Sequence, residues 1–178
     1  MKHPKRYRGM KKRTLQIVLL LLASAVQGFA AGVERLSVPS ASMNKEIPVL
    51  VVLPDIALAS EGKSCPVVYL LHGYGGNAET WLTVKPDLPQ IADQKGIIFV
   101  CPDAQNSWYW DSPVDSAFRY ETFVASELVG YIDLHYKTIA ERKGRAIAGL
   151  SMGGHGALWI AFRHQDAFGA CGSMSGCA

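Results

Sequence analysis

Hydrophobic and polar positions follow two rhythms along this chain. Ile47-Pro48-Val49-Leu50-Val51-Val52-Leu53, closed by Pro54, and Pro66-Val67-Val68-Tyr69-Leu70-Leu71, closed by His72-Gly73, are unbroken apolar runs of strand length. Such runs, rich in β-branched residues and bounded by Pro or Gly, predict strands buried on both faces. Ile97 to Pro102, Arg145 to Leu150 and Phe168 to Met174 predict three more. Between them lie helical patterns: residues 88–95, residues 153–164, and residues 120–136, where Phe123, Val124, Leu128, Tyr131, Ile132 and His135 recur at helical spacing. Strands alternating with helices predict an α/β fold built on a mostly parallel sheet with helices on both faces.

The first 30 residues stand apart from this alternation. Seven of the 18 basic residues precede Thr14, no acid occurs before Glu34, and the apolar run Leu15 to Val26 is short for a bilayer span. Gly28-Phe29-Ala30 supplies small residues for cleavage, so residues 1–30 read as a signal peptide, with an uncleaved anchor as the alternative. The expected mature unit is residues 31–178, a single domain working in a secreted, periplasmic or extracellular setting, with no stable membrane insertion after cleavage.

Charge changes meaning once this segment is set aside. The whole chain of 178 residues carries +3, but beyond Thr14 11 bases face 15 acids, a net of −4. A nucleic-acid partner, which requires basic residues on the folded surface, is not expected. Cys65, Cys101, Cys171 and Cys177 lack the close pairing of a zinc site; they are expected as buried thiols or as disulfides, and no metal or cofactor is expected.

The chemistry concentrates at Gly149-Leu150-Ser151-Met152-Gly153. Ser151 follows an apolar strand and opens a helix rich in small residues, the setting of a nucleophile elbow. A Cβ two residues before or after Ser151 would crowd so sharp a turn, hence glycine at both places. Gly154 and Gly156 are expected to bring the helix close to the sheet. The Met152 N–H, at the helix N-terminus, then points to where an oxyanion would form. A second donor is expected from His72-Gly73-Tyr74-Gly75-Gly76-Asn77, with Tyr74 N–H first and Gly75 as its substitute. His72 and His155 are expected to be structural.

Taken together, Gly149 to Leu158, the Leu70 to Gly76 loop, Trp108-Tyr-Trp-Asp-Ser-Pro113 and the segment from Glu121-Thr-Phe123 to Asp133 resemble the Putative esterase family of α/β-hydrolases. That family includes esterase D and S-formylglutathione hydrolase, tributyrin and feruloyl esterases, and mycolyltransferases. The resemblance implies a secreted serine carboxylic-ester hydrolase acting through an acyl-Ser151 on short-chain, acetyl or feruloyl-type esters, small or linked to polysaccharide. It also implies that Trp108 and Trp110 lie near the acyl or alcohol pocket. Acyl transfer to a sugar is a variant of the same chemistry.

One departure stands out. The family's order is Ser, then acid, then His. After Ser151 the only acid is Asp166, and both histidines, His155 and His164, precede it. The triad Asp and His are therefore expected to be missing, as in a domain incomplete at its C-terminus, and an inactive esterase remnant or binding relic is the alternative reading.

Overall fold

The computed structural model describes residues 32–59 and 62–176. The predicted signal peptide and Cys177 lie outside them. Six strands form one sheet: β1 (Gly32–Ser40), β2 (Lys45–Leu53), β3 (Val67–Leu71), β4 (Ile98–Pro102), β5 (Arg145–Leu150) and β6 (Ala170–Met174), in the order β1-β2-β4-β3-β5-β6. The pairs β4/β3, β3/β5 and β5/β6 are parallel, whereas β1/β2 and β2/β4 are antiparallel. The expected α/β fold is present, with the parallel part on the side that carries Ser151.

The antiparallel side comes from a short connection. Residues 41–44 turn the chain with Asn44 at φ 49°, and the register then runs from Ser40↔Lys45 to Gly32↔Leu53. A four-residue link can only return the chain antiparallel, because a parallel partner needs a long crossover. Glu127 fastens this turn, accepting from Ser40 Oγ at 2.6 Å and Ser42 N–H at 2.7 Å.

Longer connections make the parallel pairs. From β3 the chain runs through α2 (Thr80–Val84) and α3 (Leu88–Lys95) to β4; a short α1 (Asp55–Leu58) precedes β3. From β4 it passes through α4 (Tyr120–Thr122), a π-helical turn (Phe123–Leu128) and α5 (Val129–His135) to β5, and α6 (Met152–Arg163) links β5 to β6. The single regular helix expected over residues 120–136 is thus continuous but widened by the π turn. That widening shifts the later residues around the axis, so Ile132 is buried while His135, expected on the apolar face, is exposed. The strand expected from Phe168 begins at Ala170, and Phe168 instead packs edge-on against Tyr69.

Alternating strand residues feed two cores. Val49, Val51, Leu53, Val67, Tyr69, Leu71, Ile98, Val100 and Ile147 face the π turn, α5 and α6. Leu50, Val52, Leu70, Phe99 and Cys101 face Trp81, Leu88 and Ala92 on the other side. Each buried aliphatic side chain contributes about 1.5–3 kcal/mol, which fixes the helices on both faces. Cys65 and Cys101 are buried free thiols, and burial pushes the Cys101 thiol up; Cys171 on β6 is free and exposed. Among the described residues no helix is long and apolar enough to cross a membrane.

Candidate active site

The chain leaves β3 toward one core and β5 toward the other, so the loops after these neighbouring strands part at their C-terminal ends. In open α/β sheets a crevice of this kind is where ligands bind. Ser151 stands there, exposed, between β5 and α6, with φ 54° and ψ −115°. A non-glycine residue in this region costs about 1–3 kcal/mol and must be held by its surroundings. Ser151 N–H donates to Met174 O at 2.8 Å, which ties the turn to β6. Both glycines are required, but for different reasons: a Cβ on Gly149 would crowd the turn, as expected, 2.1 Å from Gly153 O, whereas one on Gly153 would meet not the turn but β3, 2.2 Å from Leu71 O.

Two further glycines of α6 divide their tasks. Gly154 faces the end of β6, where a Cβ would meet Met174 O at 2.9 Å. Gly156, expected against the sheet, instead faces the Tyr109 side chain, whose ring atoms Cδ2 and Cγ lie 2.5 and 2.6 Å from where its Cβ would be. Tyr109 belongs to the loop after β4, and its buried bulk occupies the space the sheet was expected to fill.

The loop after β3 reaches the elbow. A Cβ on Gly73 would lie 3.5 Å from Ser151 Cβ, which brings the neighbouring Tyr74 into the same crevice. Met152 is the first residue of α6, so its N–H has no intrahelical acceptor, and among the described residues neither it nor Tyr74 N–H has a partner. Gly75 N–H, the expected substitute donor, is already committed to Asn106 Oδ1 at 2.7 Å. His72 is buried and structural: Nε2 accepts from Ala104 N–H at 2.9 Å, so Nδ1 carries the proton and donates to Gly73 O at 2.8 Å. Tyr109 Oη donates to His72 O at 3.1 Å.

The histidines after Ser151 are engaged elsewhere. Trp110 Nε1 donates to His155 Nε2 at 2.9 Å, and Trp108 packs edge-on to the same imidazole. Both indoles thus rest on His155, about one helical turn from Ser151, and at 38% and 45% exposure they keep free aromatic surface. His164 Nε2 lies 2.9 Å from Glu121 Oε1, and Asp166 is exposed in the turn beyond α6. Glu121 also accepts from Trp159 Nε1 and Arg163 Nε, each at 2.7 Å. Burial would raise the Glu121 carboxyl, but these hydrogen bonds outweigh it and hold the group below the usual carboxylate range. Asn106 was not singled out by sequence, and Tyr109 and Glu121 entered only as members of the segments that carry the family resemblance, with no role of their own; each acts on a partner more than 30 residues away.

Residues 40–178 match the family model described as Putative esterase. Esterase Rv1288 of Mycobacterium tuberculosis (strain ATCC 25618 / H37Rv) is 40% identical over 132 residues, 72% of this chain and 28% of that protein. The MPT51 antigen of Mycobacterium leprae (strain TN) is 34% identical over 161 residues, 89% of this chain and 50% of that protein. Among solved structures, a ferulic acid esterase superposes with a TM-score of 0.73 at 34% identity, covering 84% of this chain and 61% of the other. The chain therefore spans half or less of the length of these two curated relatives.

Proposed function

This chain belongs to the Putative esterase family with its α/β-hydrolase fold, and from that premise we propose that it serves a secreted serine carboxylic-ester hydrolase. Ser151 Oγ attacks the ester carbonyl, the alcohol leaves, and water releases the acid from the acyl-serine. The carbonyl oxygen takes up negative charge on attack and receives hydrogen bonds from Met152 N–H and Tyr74 N–H. Preorganised donors of this kind are each worth about 10²–10³ in kcat. The observation that carries the reading is the left-handed backbone at Ser151, kept at a cost and exposed beside two uncommitted N–H groups.

Among the described residues no imidazole is bonded to Ser151 Oγ, and the contribution this geometry supports is oxyanion stabilisation by Met152 N–H and Tyr74 N–H. Oxyanion and binding contributions of this kind are by themselves worth about 10³–10⁴ over the uncatalysed rate. The exposed rings of Tyr74, Trp108 and Trp110 favour a flat acyl group, in keeping with the similarity to a ferulic acid esterase. The basic and apolar character of residues 1–30 supports export. The test is turnover of p-nitrophenyl acetate by the chain beside Ser151→Ala: a higher rate for the parent is expected, and equal rates overturn the reading.

A further inference from the structure

The loop that carries Tyr74 is held at its base and at its tip by different means. Its base is fixed from the loop after β4, where Ala104 N–H donates to His72 Nε2 at 2.9 Å and Tyr109 Oη donates to His72 O at 3.1 Å. Its tip is a four-residue turn over residues 73–76, closed by Gly76 N–H donating to Gly73 O at 3.0 Å. Gly75, third in that turn, stands at φ 76°, whereas Tyr74 before it has no positive φ, which makes the turn type II. A type I turn closes the same hydrogen bond and differs chiefly by rotation of the Tyr74–Gly75 peptide through roughly 150–170°. Glycine takes either sign of φ about equally readily, so residue 75 does not itself choose between the two.

Packing does not choose either. A Cβ on Gly75 would have nothing within 4 Å, and Tyr74 is 66% exposed, so the tip stands in open space. What remains is one directional contact, Gly75 N–H donating to Asn106 Oδ1 at 2.7 Å. Among the described residues it is the one side-chain hydrogen bond that Tyr74 or Gly75 makes. A peptide rotated to the type I orientation carries this N–H to the opposite side and loses the bond. The Tyr74 N–H sits on the same Cα about which that rotation turns. An oxyanion donor is effective because it needs no reorganisation as charge forms, and a tip alternating between two orientations would have to reorganise.

We propose that Asn106 is a positioning residue for acyl transfer: its side-chain carbonyl holds the Tyr74–Gly75 peptide in the type II orientation and so keeps Tyr74 N–H aimed at the oxyanion. Its effect on rate rests on the esterase reading; its hold on the turn does not. The test compares Asn106→Ala, Gly75→Ala and the double variant with the parent chain and Ser151→Ala in p-nitrophenyl acetate turnover, with amide exchange at Gly75 followed by NMR. Asn106→Ala is expected to speed exchange of Gly75 N–H and to lower kcat about 2–10-fold, the worth of one such hydrogen bond, with KM unchanged. The thermal midpoint should hold, because Asn106 is exposed. Asn106→Asp keeps an acceptor in the same place and should restore slow exchange. Gly75→Ala meets no neighbouring atom and acts through the backbone alone, since alanine resists φ 76°. In the double variant the Asn106 substitution should therefore cost nothing further. Unchanged exchange at Gly75 in Asn106→Ala, unchanged kcat there in a parent that turns over, a rise in KM without a fall in kcat, or full additivity in the double variant would overturn the proposal. Equal turnover by the parent and Ser151→Ala would overturn the esterase reading alone, and the exchange result would then decide whether Asn106 holds the turn.

Discussion

Two loops at the same end of the sheet hold non-glycine residues in left-handed backbone, and they hold them by opposite means. At the elbow after β5, Ser151 is kept at φ 54° by crowding of bare backbone, with Gly149, Gly153 and Leu71 too close to admit a Cβ. In the loop after β4, Gln105, Trp108 and Tyr109 lie at φ 49°, 57° and 61°, and side chains do the holding. Tyr109 is wholly buried with its hydroxyl on His72 O, and Trp110 is bonded to His155. The two regions meet on α6, where Gly156 makes room for the Tyr109 ring. The strained turn that exposes a reactive group is built by removing side chains, and the one that walls it is built by packing them.

The sharpest way to break this contrast is Gly153→Ala. The added Cβ would meet backbone that cannot swing aside, so a loss of about 3 kcal/mol or more is expected, read as a fall in thermal midpoint. Gly130→Ala, with nothing within 4 Å of the new Cβ, should by comparison gain about 1 kcal/mol from helix propensity.

Tyr109→Phe examines the loop instead. It keeps the ring against Gly156 and deletes one buried hydrogen bond, leaving His72 O without that donor. A loss of about 1–3 kcal/mol is expected in denaturant unfolding. If the loop is what steadies the strand β3 turn, ester turnover should fall while Ser151 stays reactive.

A smaller effect lies where α4 meets the end of α6. Glu121 has a folded pKa below its ordinary value, so its contribution is complete above the usual glutamate range and is lost as pH falls through the folded value. Glu121→Gln should cost about 1 kcal/mol at neutral pH and flatten the acid limb of a thermal-midpoint profile. An unchanged acid limb would show that the Arg163 and His164 contacts carry no stability.

Much of the sheet's interior was legible from local pattern. β2, β3 and β4 announce themselves as apolar runs because both their faces are largely buried, whereas β5 is only half-buried on one face and is marked by the turn that follows it. Gly149 is readable because it meets Gly153 within that turn, while the demand on Gly153 comes from Leu71 on β3. β1 was not, since Gly32–Ser40 is a half-exposed edge strand that mixes Glu34, Arg35 and Ser37 with a proline at 39. Its pairing comes from a hairpin turn rather than from its own periodicity. The partners Gly156–Tyr109, Gly75–Asn106 and Glu121–His164 were also hidden. Each joins segments brought together only by the crossovers, and no spacing within either segment encodes the other.

Acyl transfer to Ser151 is the central step of the proposed reaction. Its most direct measurement is mass spectrometry of the chain after brief exposure to p-nitrophenyl acetate, with Ser151→Gly alongside. An acetyl adduct is expected on the Ser151 peptide and not in the variant, which should itself be more stable by about 1 kcal/mol because glycine relieves the left-handed backbone. An adduct found elsewhere, or none on Ser151, would contradict it.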